Sequence, residues 1–229
     1  MIKEKKELSN LFYILNKYGI GDLTANHASI LTKNKKGYLT NKHKLLFSQI
    51  TPKNLIHVNL RDNYNKKYKE VNKAGFYIHK FLHLSKAKPL AILHTHTVNG
   101  VAISCLKKGF NEKLNQSSMR FFNRIEYFNY NGMVIDNREG KKLKNLVKEN
   151  TKLIILKNHG VIILGKTIDE LFHLTFHFEK CCEIQLKLNN ERFNSVSDKI
   201  ARLTCAQHEG FGKVGEMSWA AIKSQFKLK

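Results

Sequence analysis

A chain of 229 residues with 42% hydrophobic content can bury a substantial core and reads as a single domain over residues 1–229. Its 40 basic against 18 acidic residues leave a formal charge of +22, which on its own suggests nucleic acid. Only six of the basic residues are arginine (Arg61, Arg120, Arg124, Arg138, Arg192, Arg202), and the scattered lysines make a solvated surface, so specific nucleic-acid recognition is excluded from the expected functions. The four cysteines (Cys105, Cys181, Cys182, Cys205) show no CxxC spacing, which points to reduced thiols and a cytoplasmic location. Neither a signal-peptide pattern nor an apolar run of the ~18 residues a membrane span needs is visible, so no membrane contact is expected.

Residues 3 to 18 carry Leu8, Leu11, Phe12 and Leu15 at amphipathic helix spacing, which Gly19 and Gly21 end. Asn26 to Thr32 and Gly37 to Thr40 read as a hairpin around Lys33–Lys36. A short helical turn is expected with Thr51 as N-cap and Pro52 at its first position, followed by a strand over 56–60 and a polar, turn-like stretch from Arg61 to Lys73. Residues 74–84 have helical spacing that puts His79 and His83 on one face, while His27 and His43, in and just after the hairpin, are expected to face solvent.

An apolar run over 90–93 leads into His94-Thr95-His96-Thr97; if it continues as a strand, both imidazoles share a face and can close on one ion. A small-residue helix follows over 100–106. The aromatic stretch 121–130 is a strand or a loop, and residues 139–150 form a polar helix. A second apolar run, 153–156, ends in Lys157-Asn158-His159-Gly160, offering a third imidazole where glycine permits a tight turn; strand character resumes over 160–165. Three neutral histidines with an open position make a catalytic zinc site rather than a closed structural one. Thr167 and Glu170 fit a capping box opening the longest helix, to about Leu188, and the weakly patterned C-terminal part offers Trp219 and Phe226 as docking aromatics.

These segments together resemble the class II aldolase/adducin family over roughly residues 8 to 228: NHAS at 26–29, GYLTNKHKLLFSQIT at 37–51, AGFYIHK at 74–80, HTHT at 94–97, KNHGVIILG at 157–165 and DELFHLTFHFEKCCEIQ at 169–185. The resemblance implies an α/β fold, a three-layer α/β/α sandwich with a central, largely antiparallel sheet, and a homotetramer with active sites between subunits. It implies a divalent metal, usually zinc, at His94, His96 and His159, Lewis-acid chemistry on a small, phosphorylated hydroxy-carbonyl substrate through a stabilised enediolate, Lys42 and Ser29 in substrate binding, and His79 supporting a ligand. Family enzymes use a tyrosine as proton donor, which points to Tyr127, with Tyr130 and Glu126 as further candidates.

The chain departs from the family's aldolases at Gly75, where they carry a glutamate four residues before the histidine matching His79. The Thr-Gly pair they place near Lys42 is also missing, as is a Ser-Ser pair ahead of that glutamate. AGFYIHK resembles the adducin side, whose eukaryotic members bind the actin and spectrin cytoskeleton, so a metal-binding scaffold acting through protein contacts is the alternative to an enzyme.

Overall fold

The computed structural model describes residues 1–188, 193–210 and 212–228. Helix α1 (Ile2–Lys17) buries Leu8, Leu11, Phe12 and Leu15 as its spacing demands, and Gly19, at φ +69°, turns the chain out of it. Strands β1 (His27–Leu31) and β2 (Gly37–Thr40) form the expected hairpin, and β3 (Ile56–Asn59) pairs with β2. The helical turn between them occupies Phe47–Gln49, ahead of the position expected from Pro52. Thr51 instead opens a non-helical turn, giving its N–H to Asn54 Oδ1 while its carbonyl accepts from Asn54 N–H.

Helix α2 (Lys73–His83) starts at Asn72, whose side chain accepts from Gly75 N–H. Strand β4 (Ala91–Thr95) leads into α3 (Val98–Cys105), and β5 (Ile125–Phe128) settles the aromatic stretch as a strand. Helix α4 (Asn137–Leu146) precedes β6 (Leu153–Leu156) and β7 (Gly160–Gly165). Helix α5 (Ile168–Leu188) is capped by Thr167, but Glu170 completes a different circuit: its carboxylate accepts from Lys166 N–H and pairs with buried Lys152 at 2.6 Å. The C-terminal part folds as α6 (Asp198–Gly210) and α7 (Glu216–Gln225). Trp219 docks on Phe172 and donates to Glu7, and Phe226 packs on Tyr13, as expected of docking aromatics.

The strands form one mixed sheet of seven, ordered β3-β2-β1-β4-β7-β6-β5, in which every neighbouring pair is antiparallel except β5–β6. Side chains alternate across it. Ala28, Leu39, Leu93, Leu153, Ile155, Val161 and Ile163 pack with residues of α1, α3 and α5. Tyr38, Ile92, Ile154, Ile162 and Leu164 pack with α2 and α4 on the opposite face. His94 and its cross-strand partner His27 have the parity of this second face, as do Ile92 and its partner Ser29. Among the described residues no helix is long and apolar enough to cross a membrane. All four cysteines are free thiols, and Cys105 is the exposed one.

Candidate metal centre and its histidine chain

Two chain segments meet at the centre. Strand β4 ends at Thr95, so His94 projects from the ladder while His96 lies just beyond it, and Thr97 caps α3 by accepting from Gly100 N–H at 3.2 Å. From the other side the β6–β7 turn brings in His159, with Asn158 at φ +58°. Gly160 is required by close approach: a Cβ there would stand 2.7 Å from Thr95 O and 2.8 Å from His96 Cδ2.

The three imidazoles converge through one kind of nitrogen. Their candidate ligand atoms all lie within 4.8 Å of one another, with His96 Nε2 2.8 Å from His94 Nε2 and 3.0 Å from His159 Nε2. Hydrogen bonding at the opposite nitrogens assigns the protons. His94 Nδ1 donates to Val161 O at 3.0 Å, and His96 Nδ1 donates to Asp22 Oδ2 at 3.1 Å. In the neutral rings that leaves both Nε2 lone pairs aimed at a common point, where they repel unless a cation lies between them. This donor set therefore fits a divalent metal, and Asp22 is the carboxylate that orients one ligand. Desolvation, reinforced by the neighbouring imidazoles, holds His94 well below the ordinary histidine value; burial and His96 bring His159 to about 4. His94 and His159 are therefore neutral at pH 7, as metal binding requires. His96 and His159 are partly exposed, so the centre is open on one side.

Behind it, on the α2 side, lies a buried chain of polar side chains. His27 is 3% exposed and is not solvent-facing as the sequence suggested: β1 lies inside the sheet, so an inward side chain there is covered by α2. His27 Nδ1 is 2.7 Å from His79 Nε2; His79 Nδ1 is 2.7 Å from Ser29 Oγ; Ser29 Oγ is 2.8 Å from His83 Nε2; and His83 Nδ1 donates to Pro89 O at 3.0 Å. Enclosure pushes His27 and His79 well below the usual histidine range, and desolvation takes His83 to about 4.

The other expected site residues are engaged as follows. Ser29 is fully buried with its hydroxyl shared between His79 and His83, which makes it part of the support behind the centre. Lys42 Nζ pairs with Glu70 at 2.9 Å. The Tyr127 hydroxyl accepts from Phe110 N–H at 3.1 Å, against Gly109, on β5 at the edge of the sheet. Glu126 pairs with Lys148. Tyr130, past the end of β5, is the tyrosine whose ring approaches His159, at 6.4 Å between centroids. Sequence reasoning missed Asp22 and Glu179. Glu179 accepts from the Thr97 hydroxyl, and its carboxyl is pushed up by burial. Neither carries a spacing signal, since Asp22 meets His96 and Glu179 meets Thr97 from distant segments.

Residues 6–186 match the family described as Class II Aldolase and Adducin N-terminal domain, and the chain belongs to that family. It is 31% identical, over 94% of its length and 86% of the relative's, to a Pseudomonas aeruginosa protein named "Putative aldolase class 2 protein". Human gamma-adducin is 27% identical over 79% of the chain, which spans 26% of that protein's length. Among solved structures, an aldolase II superfamily protein from Pseudomonas syringae aligns with TM-score 0.86 at 24% identity, covering 98% of this chain and 92% of that one. An L-fuculose 1-phosphate aldolase from Glaciozyma antarctica aligns with TM-score 0.75 at 26% identity, covering 90% and 81%.

Proposed function

We propose that the chain is a zinc-dependent lyase or isomerase acting on a small hydroxy-carbonyl compound of the sugar-phosphate type, with His94, His96 and His159 as the ligands. The observation that carries this reading is the convergence of the Nε2 atoms with the Nδ1 hydrogens of His94 and His96 committed to Val161 O and Asp22. Three imidazoles and an open side suit zinc in a catalytic role, where the bound cation supplies Lewis acidity to the oxygens of a hydroxy-ketone. The similarity to a protein named for L-fuculose 1-phosphate supports a phosphorylated substrate. Tyr130, near His159, is a better placed proton donor than Tyr127. Helices packed on both faces of the sheet support a single α/β/α sandwich domain. Exposed Leu23, Val98 and Tyr130 near the centre support a homotetramer with subunits meeting there. The cysteine pattern supports a cytoplasmic location.

Metal analysis of protein purified without chelators should give about one zinc per chain, lost in a His94→Ala/His159→Ala double variant. Metal-loaded protein should cleave or isomerise a member of a sugar-phosphate panel, and His96→Ala should abolish turnover. Gly75, which offers no carboxylate to the reaction, favours a second reading as a metal-binding scaffold of the adducin type. Zinc retained without turnover across the panel selects that scaffold, and a metal-free wild type refutes both.

A further inference from the structure

The buried chain behind the centre has one end fixed by a group that can only accept. Pro89 O is a carbonyl, so His83 Nδ1 carries hydrogen, and in the neutral ring His83 Nε2 is bare. Ser29 must then donate to His83 Nε2, and its oxygen accepts from His79 Nδ1–H. With its hydrogen on Nδ1, His79 has a bare Nε2, which takes the hydrogen of His27 Nδ1. Each bond sets the direction of the next, and the last consequence falls on His27: its Nε2 carries a lone pair and no hydrogen.

The ring that carries this lone pair borders the metal centre. The His27 and His94 rings are 4.9 Å apart between centroids, and the two residues are direct partners across the β1–β4 ladder. His27 Nε2 is 3.1 Å from where a side chain at Gly75 would begin, in a notch that exists because residue 75 has none. No hydrogen bond engages this nitrogen among the described residues, while the other ring nitrogen is held at 2.7 Å. A ligand that covers this acceptor without supplying a hydrogen leaves it unpaired, which costs more than a paired acceptor contributes, so a polar atom so placed discriminates strongly.

We propose that His27 Nε2 is a specificity-determining acceptor for a hydroxyl group of the ligand, with His79, Ser29 and His83 as positioning residues that keep this nitrogen unprotonated. This rests on the metal-centre reading for where the ligand lies, and it narrows the substrate class to hydroxy-carbonyl compounds with a further free hydroxyl beside the pair of oxygens that meets the metal. A carbonyl or phosphate oxygen at that place would meet a second lone pair and be rejected.

The test has two arms. The first is nitrogen NMR of histidine-labelled, metal-free protein at pH 7, which reads the tautomer of each ring and needs neither metal nor turnover. The expected result is a single Nδ1–H tautomer at His27, becoming a mixture in Ser29→Ala; an Nε2–H form in the wild type overturns the proposal. The second arm measures binding of two probes to zinc-loaded protein: dihydroxyacetone, and hydroxyacetone, which lacks the second hydroxyl. Dihydroxyacetone should bind roughly tenfold more tightly, and His27→Phe, which keeps a ring but no acceptor, should erase that preference at unchanged zinc stoichiometry. Equal binding of the two probes by the wild type, or a preference that survives His27→Phe, refutes the role. Failure to load zinc sinks the metal-centre reading alone and leaves the tautomer arm to decide the orientation of the chain.

Discussion

Gly75→Ala is ordinarily a stabilising change in a helix, worth about 0.5–1 kcal/mol because glycine loses more backbone freedom on folding. In this protein it should destabilise. The new methyl carbon would stand 2.9 Å from His27 Cδ2 and 3.1 Å from its Cγ, closer than a carbon settles against a ring. The ring cannot swing away freely, since its Nδ1 is bound to His79 and both residues are buried. Breaking that hydrogen bond and stranding a buried nitrogen costs about 1–3 kcal/mol, so the midpoint of the two ranges leaves a net loss of about 1 kcal/mol. Urea unfolding followed by circular dichroism should show the lower midpoint at constant slope. The same substitution in a His27→Ala background, where nothing fills the notch, should recover the ordinary gain of about 0.5–1 kcal/mol. If Gly75→Ala stabilises the wild type as much as it stabilises the His27→Ala variant, the packing of His27 over Gly75 is wrong.

Acid should destabilise the fold before the carboxylates titrate. His83 has a folded value of about 4 against an ordinary histidine value of 6.5, so the unfolded chain binds more protons between these limits and stability rises with pH across that window. From His83 alone the loss by pH 4 is on the order of 3 kcal/mol, and His27 and His79, both lowered, add in the same direction. A urea midpoint that stays flat from pH 6.5 to pH 4.5 would contradict the neutral buried chain. Asp22→Ala removes the acceptor of His96 Nδ1–H and should weaken zinc binding about 10- to 100-fold without unfolding the protein, as read by competition with a chelating dye. An unchanged zinc affinity would show that Asp22 does not orient the ligand.

Periodicity carried most of the elements because each buries one stripe or one face: α1, the β1–β2 hairpin, α2 and α5 follow from apolar spacing alone. The C-terminal helices were not legible, since α6 buries only Ala201 and Cys205 and α7 only Trp219, too few positions to set a period. At the site, the HxH pair and the NHG turn were legible because local geometry dictates both. The partners of Ser29, Lys42 and Tyr127 were not legible for one common reason: a side chain's reach is decided by tertiary structure. Ser29 faces inward under α2, Lys42 is drawn to Glu70, and the Tyr127 hydroxyl is engaged by Phe110 N–H. Asp22 was invisible because its link to His96 spans 74 positions.

The buried chain shows how two different periods can be made to agree. Four residues along a helix advance about 6.0 Å, and two along a strand about 6.6–6.8 Å. Histidines at i and i+4 on a helix therefore lie in step with polar residues at j and j+2 on a strand beneath it, and the rings of His79 and His83 are 6.4 Å apart here. Ser29 fits between these two imidazoles, and His27, one strand repeat away, meets the outer nitrogen of His79. Each spacing alone is unremarkable in sequence, and His27 in isolation looks like a solvent-facing residue of a hairpin. The strand's HxS and the helix's HxxxH become a readable pair only once β1 and α2 are known to pack face to face. The glycine one helical turn before His79 then acquires its reason, as the one residue type that leaves the end of the chain room to lie against the metal centre.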